Sequence, residues 1–169
     1  MTDPPFHLSP LGAEHNRASF CCGEEALDRY FKTQATQDIR RRVAHCFVAV
    51  ELATGSVAGY YTIAATSIPL VGLPPEDAKR LPRCPTLPAV RIGRLAVDKR
   101  FQGCGMGGAL LADATRRTLL APPAVYALVV DAKNDRVVAF YERFLFRPMV
   151  GQPRTLFLPL ATAEKVLLA

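Results

Sequence analysis

Between an apolar run at residues 90–97 and an amphipathic run at 106–120, the chain reads Arg100-Phe101-Gln102-Gly103-Cys104-Gly105-Met106-Gly107-Gly108. Glycine reaches positive φ and lets a backbone pass close to a ligand. The N-terminus of the helix that follows adds partial positive charge and N–H groups with no intrahelical acceptor. The chemistry this spacing suits is the binding of an anion, a phosphate above all. Gly103, Gly105, Gly107 and Gly108 are more glycine than a ligand-free connection needs.

A dinucleotide reading competes for the same turn. Gly103-x-Gly105-x-x-Gly108 matches G-x-G-x-x-G, and Asp131 ends the next apolar run at about the right distance. Against it, residues 98–102 separate the strand from the first glycine. Only about 40 residues follow Asp131, too few for the second half of such a sheet.

The other reactive residue types are less organised. Cys21, Cys22, Cys46, Cys84 and Cys104 are scattered and odd in number, and the adjacent pair is neither a C-x-x-C motif nor a zinc knuckle. They read as reduced thiols, buried or idle. His7, His15 and His45 fall in no metal-binding spacing, so no metal is expected. By periodicity alone Tyr141 is a core aromatic, and Asn134 is the cap that opens its helix.

The elements that hold these residues follow from hydrophobic spacing. Residues 6–8 suit a short edge strand. Over 23–41, Ala26, Leu27, Tyr30, Phe31, Ala35 and Ile39 recur at helical steps and lead to Arg40-Arg41-Arg42. Residues 45–52 and 57–66, joined by the turn at 53–56, predict a hairpin. Residues 67–89 contain Pro69, Pro74, Pro75, Pro82, Pro85 and Pro88, which predict a long functional or mobile loop with at most one helical turn at 76–81. A strand at 90–97, the glycine turn and a helix at 106–120 follow. Residues 125–131 form a continuous apolar run, expected to be a central strand. A helix at 134–145 with Val137, Val138, Phe140, Tyr141 and Phe144 inward, a strand at 154–160 and a helix at 161–169 complete an α/β domain with a mixed sheet.

A chain of 169 residues fits one domain, here 1–169, with enough length to bury a core. Residues 1–10 lack a basic start followed by an apolar stretch, and no apolar run approaches the ~18 residues of a membrane span. A cytoplasmic protein is expected. The net charge of +6 favours polyanions, either nucleic acid or cofactor phosphates.

Gln102-x-x-Gly105-x-Gly107 after the strand Arg94-Leu95-Ala96-Val97 resembles the acetyl-CoA motif of the GNAT acetyltransferase superfamily. Phe140-Tyr141-Glu142-Arg143-Phe144-Leu145-Phe146 resembles that superfamily's F-Y-x-x-x-G-F helix end, and the element order matches as well. A narrower resemblance is to the TacT/AtaT-type acetyltransferase toxins of bacterial toxin–antitoxin pairs. It rests on Phe20-Cys21-Cys22-Gly23-Glu24-Glu25-Ala26-Leu27-Asp28, Ala58-Gly59-Tyr60-Tyr61, and Gly93-Arg94-Leu95-Ala96-Val97-Asp98 behind a proline-rich loop.

The resemblance implies a central mixed, mostly antiparallel sheet flanked by helices on both faces. It implies acetyl-CoA as co-substrate, held by Leu95, Ala96, Val97, Gln102, Gly103, Cys104, Gly105, Met106, Gly107, Gly108, Asn134 and Phe140. A backbone N–H at Val97 or its neighbour would polarise the thioester, and Tyr141 would be the general acid. Two departures bear on this. Cys104 stands where Arg or Lys is frequent, which weakens the grip on pyrophosphate. Leu145 replaces a glycine that commonly ends the helix in a left-handed conformation, at roughly 1 kcal/mol or more.

The narrower resemblance implies acetylation of the α-amine of aminoacyl-tRNA, a block of translation, a ribbon-helix-helix antitoxin as partner and a homodimer. Candidate RNA contacts are Arg40, Arg41, Lys79, Arg80, Arg83, Arg91 and Arg94. Arg91 and Arg94 have opposite parity on one strand, so both reach one cleft only if a bulge intervenes. No side chain is placed by its spacing as a general base. An α-amine near 7.7–8.0 needs less help than a lysine near 10.4. Acetylation of a protein N-terminus, lysine or small amine is the rival reading, and a non-enzymatic acyl-CoA-binding module a further one.

Overall fold

A computed structural model of the chain describes residues 5–167. In chain order the elements are β1 (Phe6–Pro10), α1 (Glu25–Thr33), α2 (Ala35–Arg40), β2 (His45–Glu51), β3 (Val57–Pro69), α3 (Pro75–Ala78), β4 (Thr86–Val97), α4 (Met106–Leu120), β5 (Ala127–Asp131), α5 (Asp135–Glu142), β6 (Arg147–Met149), β7 (Gln152–Pro159) and α6 (Leu160–Leu167). The strands form a seven-stranded sheet in the order β1-β2-β3-β4-β5-β7-β6. β4 and β5 run parallel, whereas β1–β2, β2–β3, β5–β7 and β6–β7 are antiparallel. The mixed, mostly antiparallel sheet is the one expected. The terminal helix expected at 161–169 begins at Leu160, and its last two residues lie outside the described ones.

The chain divides into two compact units, one reaching to Ala64 and taking in Gly93–Ala114, the other holding Ala65–Ile92 and the chain from Thr115. In the first unit, alternation along β3 sends neighbouring residues to opposite faces. Tyr60 turns to α1, where its ring stacks on Phe31 at 4.3 Å and its hydroxyl donates to the Leu27 carbonyl at 2.7 Å. Gly59 turns to α4. A Cβ there would lie 2.9 Å from both the Ala96 carbonyl oxygen and Leu110, so only glycine admits this approach of helix to sheet. Tyr61, on the α4 face, donates to the buried Asp113 at 2.6 Å. Helices therefore cover both faces of this unit.

The single helix expected at 23–41 is two. It breaks at Gln34 (φ −124°, ψ −29°), whose N–H still bonds to the Tyr30 carbonyl. The break keeps Tyr30, Phe31 and Ala35 buried and lets the Tyr30 hydroxyl reach Asp38 at 2.8 Å.

In the second unit, β5 is buried along Ala127–Val130 as expected. The proline-rich segment departs from expectation. β3 extends to Pro69, β4 begins at Thr86, and Pro88 lies within it. Proline is tolerated there because the ladder uses its carbonyl, which accepts from Tyr126 N–H at 2.8 Å. Leu73 and Leu87 join a buried cluster with Ile68, Val129, Met149 and Phe157, and Arg147 clamps Asp77 of α3 with two hydrogen bonds of 2.7 and 3.1 Å. The segment is packed structure. β6 was not foreseen, since three residues containing Pro148 carry no periodicity. Helix α5 ends at Glu142, earlier than expected, and Phe144 is exposed rather than inward.

Candidate active site

In the first unit, β4 leads into the glycine turn. Asp98 donates its N–H to the Ala58 carbonyl at 2.8 Å and so faces β3. The Ala96 carbonyl lies on the same side, against Gly59. Because backbone groups alternate along a strand, Val97 and Leu95 turn theirs the other way. Pairing of β4 with β5, inside the second unit, covers only Ala89 to Ile92. The outward Val97 carbonyl is met by the Gln102 side-chain nitrogen at 2.8 Å. Of the positions the resemblance implies for an oxyanion donor, Val97 or its neighbour, Val97 turns outward, whereas Ala96 and Asp98 face β3.

Beyond a short 3-10 turn at Lys99–Phe101, Gly103 and Gly105 hold φ of 81° and 84°. A Cβ at either would meet nothing within 4 Å, so the turn is open on its outer side. The first helical bond of α4 is Ala109 N–H to the Gly105 carbonyl, which leaves the amides of Met106, Gly107 and Gly108 without intrahelical acceptors. Leu95, Ala96 and Val97 thus end β4, and after residues 98–101 the chain runs through Gln102, Gly103, Cys104 and Gly105 into Met106, Gly107 and Gly108 at the start of α4. Free amides at the start of a helix, behind an open glycine turn, are the kind of feature that suits an anion. Cys104 is exposed, and its thiol folds back onto the Phe101 carbonyl.

In the sequence Asp98 stands out only as the end of the Gly93–Asp98 motif. It is 1% exposed. Burial works to raise its pKa, but hydrogen bonds from the Arg100 side chain, the Arg100 N–H and the Cys21 N–H outweigh that and hold it below the ordinary carboxylate range. The readable signal was an Asp two residues before a partner N–H, an Asx turn.

In the second unit, Asn134 caps α5. Its side-chain oxygen accepts from Val137 N–H at 3.0 Å, and among the described residues its amide nitrogen has no partner. About two turns on, Tyr141 is 6% exposed, and burial alone pushes its phenol up to about 12. Its ring lies against Phe140 and Phe146, while its hydroxyl bonds to no described residue. The phenol is therefore a protonated donor with its hydrogen bond unspent. Leu145 has a φ of 72°, the left-handed conformation expected of the glycine it replaces.

The basic residues separate into two kinds. Arg40, Arg41, Arg42, Lys79, Arg80 and Arg83 are exposed. Arg91 is paired with Asp131, and Arg94 lies over the Tyr30 ring at 3.5 Å. Buried residues change parity along β4, from Leu87 and Ala89 to Ile92 and Ala96, while its pairing with β5 from Ala89 to Ile92 is regular. Among the described residues no cluster of His, Cys, Asp or Glu could hold a metal, and no helix is long and apolar enough to cross a membrane.

Comparison with known proteins agrees with this geometry. The acetyltransferase (GNAT) domain family matches residues 21–155. The chain is 31% identical over 170 residues to a probable toxin TacT of Sinorhizobium fredii, covering 95% of this chain and 94% of that one. It is 32% identical over 151 residues to a tRNA-acetylating toxin of Mycobacterium tuberculosis, covering 88% and 89%. Among solved structures, AtaT complexed with acetyl-methionyl-tRNAfMet has a TM-score of 0.86 at 28% identity, covering 96% of this chain and 99% of that one. A mutant AtaT toxin bound to the C-terminus of the antitoxin AtaR and acetyl-CoA has a TM-score of 0.80 at 25% identity, covering 98% and 100%.

Proposed function

The chain belongs to the acetyltransferase (GNAT) family, and from that premise we propose that it moves the acetyl group of acetyl-CoA onto the α-amine of aminoacyl-tRNA. The product cannot serve as an elongating substrate, so translation stops. The protein is on this reading the toxin of a toxin–antitoxin pair. Its partner is a ribbon-helix-helix antitoxin, its working form a cytoplasmic homodimer, and its 169 residues one catalytic domain. Relatives that acetylate tRNA or are solved with acetylated tRNA and with an antitoxin support it.

The observation that carries the reading is the run from β4 into α4, with strand amides turned away from β3 and then an open glycine cradle with three free helix-end donors. Acetyl-CoA supplies the thioester whose acyl carbon the amine attacks. The amides of Gln102–Gly108 hold its pyrophosphate, and Asn134 offers its unspent amide N–H to the pantetheine arm, against which Phe140 packs. The Val97 N–H, or that of Leu95, donates to the carbonyl oxygen as charge builds there. The α-amine, near 7.7–8.0, is substantially neutral at physiological pH and attacks without a dedicated base.

Tyr141 serves the leaving sulfur. A thiolate like that of cysteine has a pKa of about 8.5, so taking a proton from a phenol at about 12 is uphill by roughly 5 kcal/mol. Tyr141 therefore acts first as a hydrogen-bond donor to the departing sulfur. The proton that finally rests there comes, in balance, from the attacking amine. Arg40, Arg41, Lys79, Arg80 and Arg83 are the RNA contacts, as exposed cations; Arg91 and Arg94 are engaged by Asp131 and the Tyr30 ring and stand outside that set.

The test is to incubate pure protein with radiolabelled acetyl-CoA and charged tRNA. Label on the aminoacyl moiety is expected. If charged tRNA stays unlabelled while a peptide N-terminus, lysine or polyamine is consumed, the rival substrate class is correct.

A further inference from the structure

The Phe20–Gly23 segment and the Gln102 side chain have no part in the chemistry described above, yet they are bound to one another and to the catalytic strand. Phe20 is buried, with its ring 4.9 Å from Phe31 and 5.6 Å from Tyr60. Cys21 donates its N–H to Asp98 Oδ2 at 3.1 Å and accepts at its carbonyl from Lys99 N–H at 2.9 Å. Cys22 donates its N–H to Asp28 Oδ1 at 2.9 Å. Its carbonyl accepts from Gln102 Nε2 at 2.9 Å, and the same nitrogen donates to the Val97 carbonyl at 2.8 Å. Both amide protons of Gln102 are therefore committed, one to a strap anchored in the core and one to the strand. The Val97–Asp98 peptide is gripped at both ends, because its N–H is held by the Ala58 carbonyl.

We propose that Gln102 is a positioning residue for acyl transfer: by bridging the Cys22 and Val97 carbonyls it fixes the Val97–Asp98 peptide plane at the end of β4, and through the strand the preceding planes that aim the Val97 amide, and behind it the Leu95 amide, at the thioester oxygen. The inference rests on the oxyanion role given to those amides. It assigns to Gln102 a task separate from cofactor affinity, which comes from the turn's own N–H groups. Misaiming an oxyanion donor by a fraction of an ångström lowers transition-state stabilisation more than ground-state binding.

The experiment compares wild type with Gln102→Met, similar in length and without a donor, and Gln102→Arg, which restores several. Acetyl-CoA affinity is measured by calorimetry, turnover on charged tRNA, and the thioester carbonyl stretch of bound acetyl-CoA by isotope-edited infrared spectroscopy. In Gln102→Met, kcat is expected to fall about 10- to 100-fold with the acetyl-CoA Kd within about threefold. The carbonyl band, red-shifted in wild type, should move back toward its solution position. Gln102→Arg should recover both. Wild-type kcat and band position in Gln102→Met, or an equal loss in Gln102→Arg, would overturn the proposal. The infrared readout needs no acceptor, so wild type that polarises the thioester yet ignores charged tRNA refutes the substrate assignment alone.

Discussion

Phe146 reaches back to Tyr141 twice: its N–H meets the Tyr141 carbonyl at 3.3 Å and its ring lies 5.3 Å from the tyrosine ring. Leu145 N–H bonds in turn to the Glu142 carbonyl at 3.1 Å. The two bonds make a Schellman end to α5, whose left-handed position is usually glycine. Here Leu145 occupies it, half exposed, at a φ of 72°. Leu145→Gly should therefore stabilise the fold by about 1 kcal/mol, after the extra freedom of glycine in the unfolded chain is counted. Urea unfolding gives the value, and a loss of stability would mean that the leucine side chain outweighs its backbone strain.

Removing the Tyr141 hydroxyl should cost activity and almost no stability. No described residue bonds to it, so Tyr141→Phe leaves no orphaned partner, and the change in unfolding free energy should stay within about 0.5 kcal/mol. The turnover of charged tRNA should drop about 100- to 1,000-fold, as when one donor to a developing charge is removed. With the phenol pushed up to about 12, the pH profile of kcat/KM should rise with the amine near 8 and stay level to about pH 10. A fall centred near 10 would indicate an ordinary phenol. Unchanged turnover in Tyr141→Phe would remove the residue from the chemistry.

The parts of the site that could be read in the sequence were those whose cause is local. Positive φ belongs to Gly103 and Gly105 themselves, and the apolar spacing of Leu110 and Ala114 lies within one helix, so turn and helix stood at their observed positions. The cap at Asn134 was local for the same reason. What depended on distant partners was not readable. Nothing near Pro88 says that its carbonyl will meet Tyr126, and nothing near Arg94 says that it will be spent on Tyr30. The break at Gln34 was hidden because apolar spacing continues through it. The strap at Cys21 and Cys22 was visible only as a motif, since the bonds that give it a purpose come from Asp98 and Gln102, about 80 residues away.

Alkaline pH should unfold the protein earlier than its surface charge suggests. Burial pushes the Cys46 thiol, 3% exposed, up to about 12. The neutral thiol is favoured in the folded state, whereas the unfolded chain ionises from about pH 8.5. The stability it contributes is complete below that point and is lost as pH rises toward 12, at up to about 1.4 kcal/mol per pH unit for this one thiol. Buried Tyr30 and Tyr60, both raised first by burial, add to the slope from about pH 10 upward. Chemical unfolding from pH 7 to 11 should show this fall, and Cys46→Ala should make it shallower between 8.5 and 10. Parallel slopes in the two proteins would contradict the burial argument.

Arg40, Arg41 and Arg42 end α2 in a second Schellman turn, Arg42 N–H bonding to the Ile39 carbonyl at 3.0 Å and Val43 N–H to the Asp38 carbonyl at 3.1 Å. Arg42 holds the left-handed position with a φ of 59°. A non-glycine residue there is strained by about 1 kcal/mol, and strain of this kind points to function when the side chain has no structural use. All three side chains are exposed. If they meet the phosphates of tRNA, replacing them together by glutamine should raise KM for charged tRNA about tenfold or more at low salt and leave KM for acetyl-CoA unchanged. The dependence of tRNA affinity on salt should flatten, by up to about 0.9 in the log–log slope for each duplex phosphate that is no longer neutralised. The substitution also removes positive charge from a helix C-terminus, worth about 0.3–1 kcal/mol, so melting of the variant must be recorded beside its kinetics. If affinity and salt slope both hold while stability falls by that amount, these arginines serve only the helix end, and the RNA face lies instead at Lys79, Arg80 and Arg83.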